Sequence, residues 1–218
     1  MSGAGVVDFS LYLISDRHML TDGRDLVETV RQALAGGVRA VQLREKDLPV
    51  AALYTLARQL RGLTREAGAR LLINDRLDVA LAVDADGVHL GGDSLPVAVA
   101  RRLLGPDRLL GVSTHRADEI LRAAEQGADF VTFGPVYATP SKLPYGAPVG
   151  PGALRQACAT APIPVFALGG VTPARVAELL EAGCTRAACI GAILTAADPA
   201  EAARTFLTAL APRPAARV

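Results

Sequence analysis

Eight short, largely apolar runs recur along the chain, and longer segments that mix apolar and polar residues separate them. The runs begin at Leu11, Ala40, Arg70, Gly87, Leu109, Phe130, Val165 and Ala187. Short runs of this kind are typical of strands that are buried on both faces, as in a parallel sheet. The pattern therefore predicts eight buried strands.

The segments between the runs carry a helical pattern. Within 26–34 and 120–124, for example, apolar residues recur three or four positions apart, as on one face of an α-helix. A glycine stands between such a segment and the next run at three places: Gly37, Gly127 and Gly183. Glycine readily adopts the left-handed conformation that ends many helices. Thr172 followed by Pro173 predicts a helix start, with the threonine hydroxyl as its cap.

Strand and helix alternate eight times without a change in composition, which favours one closed barrel over an open doubly wound sheet. We therefore predict an α/β fold, a single (β/α)8 TIM barrel, in one domain that spans 1–218. The barrel itself is expected over about 10–210, between flexible ends. Because Trp is absent and aromatic residues make up only 4% of the chain, the core is expected to consist of Val, Leu, Ile and Ala.

Overall charge and hydropathy indicate whether the protein binds nucleic acid or membrane. The formal net charge is +1, which argues against the broad basic surface that nucleic acid requires. The sequence shows neither the pattern of a secretory leader nor an apolar stretch long enough to cross a bilayer. We expect a cytoplasmic protein that binds neither nucleic acid nor membrane, and we expect a homodimer because such barrels often pair.

Polar residues cluster where the predicted strands end. The active site of a (β/α)8 barrel lies at the carboxyl ends of its strands, so these positions are candidates for chemistry. After the second to fifth strands they are Gln42, Arg44, Lys46, Asn74, Asp75, Asp93, Ser94, Ser113 and His115. The long Gly- and Pro-rich loop after the sixth strand adds Thr139, Ser141 and Lys142. Cations and hydroxyls together are the groups from which phosphate sites are built.

Lysine is rare enough in this chain to be informative. Of the 23 basic residues only Lys46 and Lys142 are lysines, and both fall at the predicted barrel mouth. Gly170 and Gly191, after the last two strands, would let backbone amides approach an anion closely. Together these residues predict a pocket for a phosphate monoester.

Carboxylates at the same mouth predict a metal. Asp75 and Asp93 offer hard oxygen ligands, which suit a magnesium ion that bridges a diphosphate. An Asn-Asp pair after a strand is also an ordinary turn or helix cap, so Asp75 has a structural alternative. Arg44 also has a structural alternative, because it could form an exposed ion pair with Glu45.

The histidines divide by position. His89 lies inside the fourth run, which is typical of a buried core histidine. His115 follows the fifth strand, where a side chain with an ordinary pKa near 6.5 is suited to carry protons. The sequence offers no clear Ser-His-Asp or Cys-His set.

Six motifs stand at the strand ends in a fixed order. They read VQLREK, INDR, GVHLGG, GVSTH, FGPVYATPSK and ALGGV. With this combination the chain resembles the thiamine phosphate synthase and TenI superfamily over residues 11 to about 195. The resemblance implies a TIM barrel that joins hydroxymethylpyrimidine diphosphate to hydroxyethylthiazole phosphate and releases pyrophosphate. It also implies Mg²⁺ as the cofactor and a dissociative mechanism, in which the diphosphate leaves before the thiazole nitrogen attacks.

The resemblance further implies roles for single residues. Those that would bind the pyrimidine diphosphate are Gln42, Arg44, Lys46, Asn74, Ser113 and Lys142. Those that would bind the thiazole phosphate are Thr139, Ser141, Gly170, Ile190 and Gly191. Asp75 would ligate the magnesium ion. Catalysis would depend on Arg44, Ser113, His115 and Lys142.

The motif GVHLGGDSLP departs from the synthase pattern at two positions. Gly92 stands where Gln is usual, and Ser94 stands where a second metal-binding Asp is usual. Asp93 is one position early and is the predicted second ligand. The departures keep two alternatives open: a TenI-like thiazole tautomerase that uses His115 without a metal, and a non-catalytic protein that binds thiazole or thiamine phosphate.

Overall fold

Eight parallel strands pair in the order in which they occur along the chain, and the last pairs with the first to close a barrel. The structure, a computed structural model, describes residues 6–21, 23–139 and 147–211. The strands are β1 (Leu11–Ile14), β2 (Ala40–Leu43), β3 (Arg70–Asn74), β4 (Gly87–Leu90), β5 (Leu109–Thr114), β6 (Phe130–Phe133), β7 (Val165–Ala167) and β8 (Ala187–Cys189). The predicted (β/α)8 barrel is confirmed.

Helices follow the strands and pack around them. They are α1 (Leu26–Ala35), α2 (Val50–Glu66), α3 (Leu77–Ala82), α4 (Val97–Leu104), α5 (Ala117–Glu125), α6 (Gly150–Thr160), α7 (Val176–Glu181), α8 (Gly191–Leu194) and α9 (Pro199–Leu210). Within the described ranges, 3₁₀ helices also follow β1 and β7, at Arg17–Met19 and Pro173–Arg175. The four-residue helix α8 is an addition to the repeating unit, because β8 is followed by both α8 and α9.

Alternate strand residues face opposite sides of the sheet, and this divides the core in two. The outward-facing residues are aliphatic for the most part and pack against the helices. The inward-facing set contains contacting rings whose centres lie 5.2 to 5.9 Å apart: Phe9, Tyr12, Phe130 and Phe166. The expectation of an aliphatic core is therefore wrong for the barrel interior, where these scarce aromatic residues collect near the amino ends of the strands.

The helix ends agree with the sequence in one respect and differ in another. The three glycines predicted to end helices, Gly37, Gly127 and Gly183, have φ angles of 105°, 95° and 80°. Thr172 precedes the 3₁₀ helix that Pro173 begins, but its side chain makes no capping hydrogen bond, so the predicted hydroxyl cap is wrong. In the described part of the chain no helix is both long and apolar enough to span a membrane.

Candidate active site at the barrel mouth

The inward-facing positions become polar towards the carboxyl ends of the strands. Because strand residues alternate, positions two or four beyond the apolar interior residues also face inwards. In β2 to β6 these are Gln42, Asn74, His89, Ser113 and Thr132. Gln42 is 1% exposed, and its Nε2 donates to Tyr12 Oη at 3.1 Å. Gln42 therefore faces the barrel interior, as its position within an apolar run predicts.

Glu45 joins the loop after β1 to the loop after β2. Its side chain is 1% exposed and accepts hydrogen bonds from Ser15 Oγ at 2.6 Å and from Arg17 Nη1 at 3.0 Å. Ser15 Oγ in turn accepts from the backbone amide of Arg44 at 2.8 Å. The alternative of an exposed Arg44–Glu45 ion pair is wrong, because Glu45 is buried and pairs with Arg17. Glu45 instead holds the backbone that carries Arg44.

Arg44 and Lys46 have cationic groups that no described residue engages through a side-chain hydrogen bond or ion pair. Arg44 is half-buried, whereas Lys46 is exposed. A partly buried cation without a protein carboxylate is poorly compensated, and this favours the binding of an anion beside it.

Asp75 lies just beyond β3 in a backbone conformation that is uncommon outside glycine, with a φ of 60°. Its Oδ2 accepts from Asn74 Nδ2 at 2.7 Å, and its Oδ1 accepts from Ser94 Oγ. The amide of Gly91 donates to Ser94 Oγ at 2.6 Å. The helix-cap alternative is wrong, because the residue at the cap position of α3 is Arg76, and the helix start has no capping side-chain hydrogen bond. Asp75 instead connects the loops after β3 and β4.

The donors around Asp75 fit a magnesium ion that its substrate helps to bind. Among the described residues, no three His, Cys, Asp or Glu side chains form a group that could enclose a metal. Asp93 is exposed. Asp75 offers carboxylate oxygens with the Ser94 hydroxyl beside them, and Mg²⁺ is commonly held by one or two carboxylates, waters and substrate phosphates. The hard oxygen donors present therefore suit this ion, and Asp93 as second ligand stays a prediction.

His89 connects three strands at the base of the mouth. Its Nε2 lies 3.1 Å from Ser113 Oγ and 3.4 Å from Thr132 Oγ1. Complete burial lowers the pKa of His89 to about 3, and this outweighs the nearby Asp75 charge, which raises the pKa, while Arg44 lowers it further. The ring is therefore neutral at physiological pH, and Ser113, half-buried, has a fixed neighbour below it.

His115 is oriented by contacts on two sides. Its backbone amide donates to Glu119 Oε2 at 2.7 Å, and its ring Nδ1 donates to the carbonyl oxygen of Gly134. Because a carbonyl oxygen can only accept, the proton of the neutral ring is on Nδ1 and Nε2 keeps a lone pair. Nε2 of the exposed ring is thus the nitrogen that can accept a hydrogen bond.

Gly170 brings the loop after β7 against the loop after β6. Its φ is 64°, and a Cβ there would lie 2.8 Å from Tyr137 Cβ and 3.0 Å from Ala138 O. Arg175 Nη1 donates to Gly170 O at 2.6 Å, and its guanidinium carbon lies 4.4 Å from the centre of the Tyr137 ring. Gly170 therefore permits a close approach of backbones that a side chain would prevent.

The remaining predicted residues belong to the last loops. Ile190 precedes Gly191, which begins α8, and both are half-buried. Thr139 is half-buried in the loop after β6. Ser141 and Lys142 lie outside the described residues, so their place in the site stays a prediction.

His89 lies among the candidate residues, because its ring contacts Ser113 and its strand position pairs with that of Asn74. Two buried polar residues, Glu45 and His89, had no predicted role. The sequence signal that could have revealed both residues is the alternation of side chains along a strand. It turns Glu45 away from Arg44 and directs His89 into the barrel.

A separate open groove of about 370 Å³ lies near the opposite end of the barrel. It is lined by α1 and α2 and by Arg39, which immediately precedes β2. Because active sites of this fold lie at the carboxyl ends of the strands, the groove is not part of the candidate site.

A closed parallel barrel with its polar side chains gathered at the carboxyl ends of the strands is the architecture of a (β/α)8-barrel enzyme. The sequence profile of the family "Thiamine monophosphate synthase" matches residues 11–193. The chain belongs to this family.

Relatives and a solved structure agree with this assignment. The chain is 58% identical over 207 residues to a putative thiamine-phosphate synthase of Geobacter sulfurreducens, covering 95% of this chain and 97% of the relative. It is 49% identical to a thiamine-phosphate synthase of Moorella thermoacetica, covering 85% and 88% of the two chains. The structure of a thiamine phosphate pyrophosphorylase from Pyrococcus furiosus superposes with a TM-score of 0.84 at 37% identity, covering 92% of this chain and 95% of the other.

Proposed function

We propose that this protein is a thiamine phosphate synthase, which joins hydroxymethylpyrimidine diphosphate to hydroxyethylthiazole phosphate and releases pyrophosphate. The observation that carries the proposal is the placement of Arg44, Asp75 and Ser113 at the carboxyl ends of β2, β3 and β5, at one rim of the barrel, in a chain of this family. Positive charge and hydrogen-bond donors placed where negative charge develops are what the departure of a diphosphate requires.

The reaction replaces oxygen by nitrogen at one carbon. The carbon–oxygen bond to the diphosphate breaks, and pyrophosphate leaves with the electron pair. The thiazole nitrogen then donates its lone pair to the pyrimidine methylene carbon. Arg44 and Lys46 supply fixed positive charge for the leaving group, Ser113 supplies a hydroxyl, and Lys142 adds a second lysine from the loop after β6. These are electrostatic roles, and none requires a covalent bond to the protein.

The pyrimidine ring is assigned to the interior side of the mouth. Gln42 Nε2 is engaged by Tyr12, and the opposite side of the amide, Oε1, has no hydrogen-bond donor among the described residues. It is therefore available to accept a hydrogen bond from the substrate. Asn74, which follows the same inward series in β3, is the second contact for this substrate.

The thiazole phosphate is assigned to the loops after β6, β7 and β8. Its proposed contacts are Thr139, Ser141, Gly170, Ile190 and Gly191. The close packing of Gly170 against Tyr137 supports this assignment, because it places backbone of two of these loops side by side. Backbone amides and hydroxyls bind phosphate oxygens without adding charge.

Magnesium is proposed as the cofactor, with Asp75 and Asp93 as its protein ligands. When bound, the ion would neutralise part of the diphosphate charge and so improve the leaving group. Asp75→Asn keeps the size of the side chain but removes its charge, so the magnesium concentration for half-maximal turnover should rise about tenfold or more. An unchanged magnesium requirement would exclude Asp75 as a ligand.

Thiazole tautomerisation is the second candidate, and one observation favours it. The bond from His115 Nδ1 to Gly134 O leaves Nε2 as the nitrogen that could move a proton. Such an isomerase needs no pocket for a diphosphate, however, so the cationic side chains of Arg44 and Lys46 would have no anion to bind. The synthase is therefore the better account of the whole mouth.

One assay separates these activities. Purified protein is mixed with both substrates and magnesium, and pyrophosphate and thiamine phosphate are measured together; we expect both products in equal amounts and their loss on adding a chelator. Isomerisation of the thiazole without pyrophosphate release would assign the tautomerase. Binding of thiazole or thiamine phosphate without any turnover would assign a sensor.

Location and assembly are also proposed from the sequence. We expect the protein in the cytoplasm, as a homodimer that binds neither nucleic acid nor membrane. Its mass in solution, measured by light scattering, tests the dimer directly.

A further inference from the structure

The His89 ring lies between the aromatic interior of the barrel and the polar mouth. The residue is 2% exposed, and its ring centre lies 5.7 Å from that of Tyr12 and 5.8 Å from that of Phe130. The Nδ1 edge faces Gly111, where a Cβ would come within 2.5 Å of that nitrogen. Nδ1 is buried and has no hydrogen-bond partner among the described residues.

The opposite edge of the ring faces two hydroxyls. Nε2 lies 3.1 Å from Ser113 Oγ and 3.4 Å from Thr132 Oγ1, and the two hydroxyl oxygens are 3.5 Å apart. Among the described residues the ring therefore has hydrogen-bond partners only on the side of the mouth, and the closer of them is Ser113.

The unpartnered Nδ1 decides which nitrogen carries the proton. Because the ring is neutral, it has one N–H and one lone pair. A buried N–H without an acceptor is rarer than an under-used acceptor, so the lone pair belongs on Nδ1 and the proton on Nε2. Nε2 then donates to Ser113 Oγ.

We propose that His89 is a positioning residue, which donates to Ser113 Oγ and so turns the Ser113 hydroxyl hydrogen towards the departing diphosphate. A serine hydroxyl can otherwise rotate and act as donor or acceptor. With its oxygen held from below by Nε2, Ser113 presents its hydrogen on the other side, where leaving-group charge develops. This inference rests on the proposed synthase function and names the residue that prepares one of its contacts.

Two substitutions at His89 separate hydrogen bonding from packing. His89→Phe keeps a ring but removes the donor, whereas His89→Gln keeps an N–H donor at the distance of Nε2. We expect His89→Phe to lower kcat about tenfold with little change in either KM, because the contact strengthens only as charge develops. His89→Gln should recover kcat to within about threefold of the wild type.

Phe130→Leu is the matched control for lost packing. Phe130 is a fully buried ring beside His89 and has no polar atom to offer Ser113. The variant Phe130→Leu should lower the melting temperature, as His89→Phe does, but should leave kcat near that of the wild type. Equal losses of kcat in Phe130→Leu and His89→Phe would mean that His89 acts only through packing, and would overturn the proposal.

A double-mutant cycle tests whether His89 acts through Ser113. If it does, Ser113→Ala lowers kcat to a similar degree, and the double variant His89→Phe/Ser113→Ala loses little more than either single variant. If the loss of kcat in the double variant equals the product of the two single losses, the two residues act independently, and the proposal is wrong.

Nitrogen NMR tests the His89–Ser113 hydrogen bond independently of the synthase activity. The ¹⁵N shifts of His89 should show a neutral ring protonated at Nε2, and a proton on Nδ1 would overturn the proposal even in an active enzyme.

Binding of inorganic pyrophosphate with magnesium supplies a readout without turnover, and both His89→Phe and Ser113→Ala should weaken it to a similar extent. Should the wild type form no thiamine phosphate, the synthase assignment fails, while the NMR result still decides the His89–Ser113 contact.

Discussion

The hydroxyl of Ser94 donates a hydrogen bond to Oδ1 of Asp75 and so joins the loop after β4 to the end of β3. Ser94 stands at the position where the synthase pattern usually has a second metal-binding Asp. Two carboxylates this close would repel each other in the absence of a metal. In this chain a neutral donor takes that position, so the two loops are joined by a hydrogen bond that needs no metal.

Ser94→Asp should therefore strengthen magnesium binding. The change adds a second carboxylate beside Asp75, which costs stability without metal and gains an ion ligand with it. We expect the magnesium concentration for half-maximal pyrophosphate release to fall about tenfold, and magnesium to raise the melting temperature more than in the wild type. Asp107→Asn, at an exposed position before β5, is the control and should change neither value. An unaltered magnesium requirement in Ser94→Asp would place the ion elsewhere.

Lys142→Ala should reduce kcat/KM for the pyrimidine diphosphate about 10- to 100-fold, because a hydrogen bond to a charged group is worth about 1.5–3 kcal/mol. Steady-state pyrophosphate release measures this. Arg58→Ala is the control, since Arg58 is exposed on α2 and also loses one positive charge. If both variants lose activity equally, overall charge and not a contact at the mouth is responsible.

The positions of the strands could be predicted from the sequence, because buried runs and helix-ending glycines are local signals. The Asp75–Ser94 contact could not, since it depends on the backbone of Asp75, whose φ is 60°, bringing two loops together. Polar residues at strand ends were predicted as a group because the fold itself brings those ends to one rim.

Glu45 shows why neighbours in sequence mislead. Its adjacency to Arg44 left an ion pair open as an alternative, yet consecutive residues in extended backbone point to opposite sides. Glu45 turns to Ser15 and Arg17 beyond β1, partners that are about 30 positions away and only the closed barrel brings near.

Glu45→Gln should impair the diphosphate side of the site more than the thiazole side. The amide keeps the size of Glu45 but presents an N–H₂ group to donors on Ser15 and Arg17, which frees the backbone of Arg44. We expect kcat/KM for the pyrimidine diphosphate to fall about tenfold while KM for the thiazole phosphate changes little. The control is Asp47→Asn, which removes the exposed partner of Arg17. Losses as large in Asp47→Asn would show that Arg17, and not buried Glu45, is the residue that matters.

Gly170→Ala should raise KM for the thiazole phosphate. Alanine is strained at a φ of 64°, and its methyl group would meet Tyr137 Cβ at 2.8 Å, so stability should fall by about 1–2 kcal/mol. Kinetics at varied thiazole phosphate and urea unfolding measure the two effects. Gly152→Ala lies within α6, and its added methyl would meet nothing within 4 Å beyond its chain neighbours and its own helix backbone, so it should instead leave KM unchanged. A normal KM in Gly170→Ala would remove this loop from the phosphate pocket.

The buried His89 should make stability depend on pH in the acid range. Its folded pKa is about 3, against an ordinary value near 6.5 in the unfolded chain. Between these values the unfolded chain binds the proton and the folded chain does not, so the free energy of unfolding falls as pH drops from 6.5 towards 3. Glutamine does not titrate, so the wild type should exceed His89→Gln in stability at pH 7 by more than at pH 4, by up to a few kcal/mol. Urea unfolding across this range measures the difference. Parallel curves for His89→Gln and the wild type would mean that burial does not lower the pKa of His89, and the barrel would then not hold this ring neutral.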